Sequence, residues 1–455
     1  MRPYCFVLMP FGVKTGHTGL PIDFDGVYDK LIRPAAEAAD LEPIRADEER
    51  IGGTIHKPMF ERLQLCEFAV ADATTGNANV FYELGIRHAL RPHTTVIVYQ
   101  QDYTLPFDVA SMRALPYSAT ALEDGKLRLT KRLLGARSYH DDSPVYQFLS
   151  DLPREHLDHS KTDLFREQVD YSRKIKQELA DACSLGTAGL ARLDEIRKGL
   201  GNLSDCEIGV LVDLFLSYRK LEGFTEMETL YLEMPAPLRH NRVIQEQRAF
   251  ALNRMGQRDQ ARRILEDIIE KNGPNPETNG LLGRIFKDMY KAELTDENPA
   301  DPKRLSAIAK GHLKRAIETY LQGFQADWRD AYPGINAIEL MDQLEPPDPR
   351  IAELLPVVGF AIKQKVANRG ADYWDYATLL ELAVLASDEQ AADRYLCEAL
   401  PLAVKLGDSW APNSTAASLE MIRKVRAARG APLDWVAGLE IELRSISERL
   451  KAGRS

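Results

Sequence analysis

The sequence predicts an α/β domain built on a parallel sheet with helices on both faces, followed by an all-α array of helical hairpins. Three observations predict it. Up to about residue 150, short β-rich runs alternate with helical patterns, and beyond about residue 160 the strand signal stops. In the helical part, small and apolar residues recur at a 34-residue spacing. Alternation of strand and helix implies right-handed crossovers and a parallel sheet. Its natural form here is doubly wound and flavodoxin-like.

The elements follow in chain order. "YCFVLM" (Tyr4–Met9) reads as a buried strand stopped by "PFG". "FDGVYDKLIRPAAEAAD" reads as a helix with Val27, Tyr28, Leu31, Ile32 and Ala35 on one stripe and a kink at Pro34. "EPIRA", "FAVAD" and "TTVIVYQ" supply three more strands. "IHKPMFERLQLC", "VFYELGIRHAL" and "LRLTKRLLGA" supply helices, the first with Ile55, Met59, Phe60, Leu63 and Cys66 inward.

In the helical part, Ala249, Leu252, Gly256, Ala261 and Leu265 stand where a helix–turn–helix repeat needs small and apolar residues. Gly283 opens "GRIFKDMY" 34 residues after Ala249, the tetratricopeptide (TPR) period. Ala392 and Ala399 mark a further copy, and the Pro-rich "LEPPDPR" (Leu344–Arg350) divides two helical subdomains or two repeats. The expected domains are 1–153 (α/β), 160–345 (TPR-like) and 346–455 (continuation of the array).

The 455 residues exceed what one core usually serves. A net charge of −10 argues against broad nucleic-acid or anionic-membrane contact. Five scattered cysteines without CxxC spacing fit free thiols and no zinc site. No signal peptide or apolar run of roughly 20 residues is visible, so a cytoplasmic location is expected.

In a doubly wound sheet, ligands bind beyond the carboxyl ends of the strands. Asp72 ends the strand "FAVAD", and Glu83 stands in or just after the first turn of the next helix if Asn77 or Asn79 caps it. Both have ordinary roles: Asp72 as an Asx turn, Glu83 as the i,i+4 partner of Arg87. Two carboxylates flanking one loop at such a crevice also suit chemistry at a sugar carbon, one as nucleophile or electrostatic stabiliser. Asp47, Glu48 and Glu49 before Gly52-Gly53 are either a ribose-binding loop or a solvated acidic loop. Met9-Pro10-Phe11-Gly12 allows close backbone approach to a phosphate, although no GxGxxG or Walker pattern is present. Tyr82 reads as core or pocket wall. The histidines show no metal spacing.

"CFVLMPFG", "FDGVYDKLIRPAAEAADLEPIRADE", "GGTIHKPMFERLQLCEFAVADATTGNANVFYELGIRHAL" and "LPFDVASMRALPYS" together resemble the bacterial TIR-like proteins related to nucleoside 2-deoxyribosyltransferases. The resemblance covers most of residues 1–150 and implies a flavodoxin-like fold and cleavage of an N-glycosidic bond. Glu83 of "YELG" matches the family's catalytic glutamate, and Asp72 its acidic strand end near the bound sugar or base. Asn77-Ala78-Asn79-Val80 departs from the family's N-P-N-V, which loosens the loop without removing a chemical group. "LLGRIFKDMY", "AIETYLQGF" and "YPGINAIELM" resemble the TRAFs-binding region of apoptosis signal-regulating kinases, most strongly over 240–345. That resemblance implies an interaction surface and brings no catalytic residues.

The resulting expectation is an NAD-cleaving effector of bacterial signalling or antiviral defence. Glu83 and Asp72 are its catalytic candidates. Met9, Pro10, Phe11, Gly12, Asp47, Gly52, Gly53, Asn77, Asn79 and Tyr82 are expected to bind substrate. NAD enters as substrate, with no cofactor and no metal. A protein partner on the TPR-like array and self-association are also expected, with no nucleic-acid or membrane partner. The alternatives are a nucleoside or nucleotide N-glycosidase or deoxyribosyltransferase, and a non-catalytic TIR-like scaffold.

Overall fold

The computed structural model describes residues 2–15, 21–45, 56–106, 109, 112–136, 143–149, 159–294, 306–369 and 371–452. The chain divides into two compact units, Met1–Val243 and Ile244–Ser455.

The first unit is organised by a five-stranded sheet. Its strands are β1 (Tyr4–Leu8), β4 (Glu42–Arg45), β5 (Phe68–Asp72), β6 (Thr95–Gln100) and β7 (Leu115–Tyr117), in the order β4-β1-β5-β6-β7. Every ladder is parallel: Phe6 stands opposite Ile44 and Ala69, Ala71 opposite Ile97, and Gln100 opposite Tyr117. A separate antiparallel ribbon joins β2 (Val13–Thr15) and β3 (Pro21–Asp23).

Alternate residues of the central strands enter opposite cores, as the period of two requires. Cys5, Val7, Val70, Val96 and Val98 pack with Leu31, Ile32, Ala35, Leu129 and Leu133 on one face. Tyr4, Phe6, Leu8, Ala69, Ala71 and Ile97 pack with Leu63, Val80 and Leu84 on the other. Two-sided burial explains why the strands read as continuous apolar runs. Cys5 and Cys66 are free and buried, and burial pushes the Cys66 thiol up to about 12.

Helix α1 runs through Phe24–Val27, a π-turn at Tyr28–Ile32, and Arg33–Ala38. The expected kink at Pro34 takes the form of this wider turn. Arg33 N–H bonds to Tyr28 O, five residues back, just before the proline that has no N–H to give. Helices α2 (His56–Leu65), α3 (Ala78–Leu90) and α4 (Leu122–Ala136) complete the two covering layers. The sequence reading has neither β7 nor the β2–β3 ribbon. Three residues are too few to show a period, and Pro116 disguises a strand that sits at the sheet edge, where proline is tolerated.

The long helix His159–Ser184 also belongs to this unit. Val169 is buried in the second core, and Arg173 pairs with Glu42 and lies 5.9 Å over the Tyr4 ring.

The second unit is all helix among its described residues, with repeat-like packing. Ala249, Leu252, Ala261 and Leu265 are fully buried, and Gly256 turns the chain between their helices at φ +78°. A Cβ on Gly283 would stand 2.7 Å from the Tyr320 ring, so this glycine sets the approach of Pro276–Ala292 to Ala307–Ala326. One core runs from Ala249 to Met341 and another from Phe324 to Leu443. Ile351 and Leu354, just after the Pro-rich Leu344–Arg350, pack against both. Stacking of this kind builds a core no single hairpin could. No helix among the described residues is long and apolar enough to cross a membrane.

Candidate functional site

The carboxyl ends of the strands carry the residues expected to act, and Asp72 is the deepest of them. It is 1% exposed at the end of β5. Its Oδ1 accepts from the Thr74 N–H at 3.0 Å and from the Thr74 hydroxyl, and its Oδ2 accepts from the Tyr117 hydroxyl at 2.9 Å. The Thr74 hydroxyl in turn accepts from Gln100 N–H at 3.0 Å. Burial pushes the Asp72 carboxyl up to about 6, against the lowering effect of the Thr74 and Tyr117 hydrogen bonds. Burial and the neighbouring Asp72 push the Tyr117 phenol well above its ordinary range. Asp72 therefore ties the ends of β5, β6 and β7 together, with both oxygens engaged by the chain itself.

Helix α3 begins where the sequence placed it. Asn77 is the cap, its side chain accepting from the Asn79 and Val80 N–H groups. Asn79 itself is exposed. Glu83 is the sixth helical residue and half-buried, past the first turn in which the helix dipole acts most strongly. Tyr82, expected as core or pocket wall, is instead 58% exposed.

Arg87, read from the sequence as the i,i+4 partner of Glu83, is fully buried and turned inward. Its Nη1 donates to the carbonyls of Leu63 (2.7 Å) and Cys66 (2.8 Å), its Nη2 to Glu67 O (3.1 Å), and its Nε to the Thr95 hydroxyl (3.2 Å). It closes the carboxyl end of α2, where unsatisfied carbonyls favour a cation. Burial lowers its guanidinium to about 9.

Met9 and Pro10 are buried, whereas Phe11 is 38% exposed. Gly12 adopts φ +63°, donates to Asp25 Oδ1 at 3.2 Å and accepts from Phe24 N–H at 3.1 Å. Arg45, at the end of β4, pairs with Asp25 at 2.9 Å and lies over the rings of Phe11 (5.4 Å) and Tyr28 (4.5 Å). This grouping of Phe11, Gly12, Asp25, Tyr28 and Arg45 has no sequence motif, because three separate segments bring it together. Asp47, Gly52 and Gly53, with Glu48 and Glu49, lie outside the described residues. No group of three or more His, Cys, Asp or Glu side chains among the described residues is placed to hold a metal ion.

The family model described as the MAP3K TRAFs-binding domain matches residues 80–434. The chain belongs to that family. The match is wider than the 240–345 core of the sequence resemblance, and it begins inside α3, the helix that carries Glu83. The chain is 30% identical over 261 residues to mitogen-activated protein kinase kinase kinase nsy-1 of Caenorhabditis elegans, which covers 52% of this chain and 16% of that protein. It is 23% identical over 309 residues to mitogen-activated protein kinase kinase kinase 5 of Homo sapiens, covering 58% of this chain and 22% of that one. The matched stretch is thus a small part of either kinase. Among solved structures, a human IFIT1 dimer with m7Gppp-AAAA is 12% identical, with 96% of this chain and 98% of that chain covered at a TM-score of 0.39. A Thermus thermophilus TPR protein is 15% identical, covering 46% and 97% at a TM-score of 0.33. Likenesses this loose say nothing about function.

Membership of the TRAFs-binding family corrects the functional expectation. The matched region of the relatives is a protein-interaction domain, and the match brings no glycosidic chemistry with it. The NAD-cleaving effector, the alternative nucleoside enzymes and the antiviral reading give way to it; of the alternatives, the non-catalytic scaffold is the one the match favours, without its TIR-like label. The resemblance overreached because an acidic strand end followed by a capped helix serves fold closure as readily as catalysis.

Proposed function

We propose that this chain is a protein-binding module that performs no chemistry of its own, with its helical array holding a TRAF-type partner. The family match over residues 80–434 carries this reading. An exposed aromatic patch on the second unit supports it. Trp374 and Trp410 are 41% and 42% exposed with ring centroids 5.7 Å apart, and the Arg254 guanidinium lies 5.6 Å over Trp410. Tryptophan and arginine dominate the energetics of protein interfaces. In this reading the α/β domain is a flavodoxin-like platform; its strands, counted within the sheet, follow the order 2-1-3-4-5 of that fold. Self-association belongs to the same proposal.

Calorimetric titration of the full chain with recombinant TRAF-type adaptor domains tests it. Saturable binding that falls at least tenfold in a Trp374→Ala/Trp410→Ala variant is the expected result, with light scattering reporting self-association. Absence of binding would reject the partner. Release of nicotinamide from NAD, or of base from nucleosides, would reject the non-catalytic reading.

A further inference from the structure

The helices Arg242–Arg254 and Trp410–Ala428 open the first and last helical hairpins of the second unit among its described residues. Their side chains meet. The Arg254 guanidinium lies 5.1 Å over the Phe250 ring of its own helix and 5.6 Å over Trp410. Trp374, at the start of the helix Tyr373–Leu385, stands against Trp410 with the ring planes 53° apart. One cation thus links two hairpins that three others separate in the chain.

The two indole rings are seated by their own hairpins. Trp410 N–H donates to Asp408 Oδ1 at 2.9 Å, and the Ser447 hydroxyl donates to the adjoining Ser409 O at 2.6 Å. Trp374 lies in the first turn of a helix capped reciprocally by Asp372 and Asp375. Its ring also stands edge-on to the buried Tyr373, with centroids 5.2 Å apart. Arg254 can therefore leave while the rings stay.

Magnitude decides what the Arg254 contact does. Phe250, Arg254, Trp374 and Trp410 stand outside the apolar cores that run from Ala249 to Met341 and from Phe324 to Leu443. Both Arg254 and Trp410 are exposed. A cation–π contact at an exposed site biases an equilibrium by only roughly two- to fivefold. A link that weak opens and closes within the folded array.

We infer that Arg254 is a displaceable cover on Trp410. Seated, it clasps the first and last hairpins and closes one face of the aromatic pair; a protein partner that docks on Trp374 and Trp410 lifts it off. The inference rests on the interaction-module reading above and adds a regulation to it. A site open in a fraction of the molecules binds more weakly by that fraction. With the closed form favoured as above, loss of the cover strengthens partner binding by about three- to sixfold.

Two measurements on the full chain test it. Each uses Arg254→Leu, which keeps apolar bulk beside Phe250 without the charge, and Arg254→Lys, which keeps the charge. The first reads the clasp with no partner present. Nitroxides at Gln257→Cys and Asn413→Cys, both exposed positions, report the spacing of the two hairpins by dipolar coupling, in a Cys183→Ser/Cys206→Ser/Cys397→Ser chain. A mainly short spacing is expected, shifted toward a longer one in Arg254→Leu and restored in Arg254→Lys. The second is calorimetric titration with TRAF-type adaptor domains, where Arg254→Leu is expected to bind about three- to sixfold more tightly and Arg254→Lys as wild type does. An unchanged spacing in Arg254→Leu would overturn the clasp. Binding no tighter in that variant would overturn the cover, and weaker binding would make Arg254 a partner contact instead. If no chain binds an adaptor, the proposed partner is rejected and the spacing alone decides the clasp.

Discussion

Tyr117, on the edge strand β7, donates a hydrogen bond at 2.9 Å to Asp72 on β5, with β6 lying between them in the sheet. The bond reaches over a whole strand, and Thr74 fills the gap by binding Asp72 on one side and Gln100 N–H on the other. The carboxylate is in this way a tie for the short edge strand, which has only three residues of its own ladder.

The burial of Asp72, which outweighs the lowering effect of the tie, makes stability fall as pH rises. Asp72 moves from an ordinary 3.8 to about 6 in the folded chain, chiefly through burial. Between those values the folded state holds a proton that the unfolded state has released, so each step up in pH favours unfolding. The contribution is fully present below about pH 4 and lost above about pH 6, and amounts to roughly 3 kcal/mol. Asp72→Asn removes it. The stability of wild type minus that of Asp72→Asn, measured by hydrogen exchange in β5 and β6, is expected to drop across that window. A flat or rising difference would show that Asp72 is not desolvated as described.

The strands that bury on both faces, and the alanines of the repeats, were legible because burial leaves a periodic trace. Ala249, Leu252, Ala261 and Leu265 sit at 0% exposure, where the spacing put them. The roles of single polar residues were not legible. Arg87 four residues after Glu83 is the pattern of a surface ion pair, yet α3 turns that side chain onto the end of α2. Only the tertiary packing of α2 against α3 decides between the two. Asp72 likewise has the local sequence of a ligand-facing strand end, and its partner Tyr117 stands 45 residues away in a strand too short to detect.

Arg87 gives the next prediction. A lysine cannot reproduce its fork, so Arg87→Lys leaves several of the Leu63, Cys66 and Glu67 carbonyls without a donor. At about 1–3 kcal/mol for each unsatisfied buried group, the loss is expected to reach roughly 3 kcal/mol. Hydrogen exchange should quicken first in the last turn of α2 and the start of β5. A change below about 0.5 kcal/mol would mean that water reaches those carbonyls.

Glycines in the second unit separate close packing from helix propensity. Gly283→Ala places a Cβ 2.7 Å from Tyr320, and the overpacking is expected to cost about 1–3 kcal/mol. Gly311→Ala, in the neighbouring helix and with nothing within 4 Å of its Cβ, should gain up to about 1 kcal/mol from propensity alone. All four tryptophans (Trp328, Trp374, Trp410 and Trp435) lie in this unit, so urea unfolding followed by tryptophan fluorescence reads it selectively. Equal effects at the two sites would refute the close approach of the two helices at Gly283.

The buried pair Lys287–Glu339 closes the set. The side chains are 4% and 3% exposed, their charges stand 2.6 Å apart, and Lys287 Nζ also donates to Asn336 Oδ1 at 3.1 Å. They join the helices Pro276–Ala292 and Ala331–Asp342 inside the repeat stack. Desolvation absorbs much of the attraction in such a pair, yet removing one partner strands the other charge. Glu339→Gln is therefore expected to cost about 3–5 kcal/mol, whereas Lys287→Met/Glu339→Leu should recover most of the loss. Glu381 offers an independent readout. It keeps some accessible surface but is ringed by protein, and burial followed by the charge of Glu339 pushes it up to about 8. In the folded Glu339→Gln chain, the Glu381 titration followed by carboxyl NMR should move to lower pH. A single variant no worse than the double, with Glu381 unmoved, would show that the two helices are held by their apolar contacts and not by this pair.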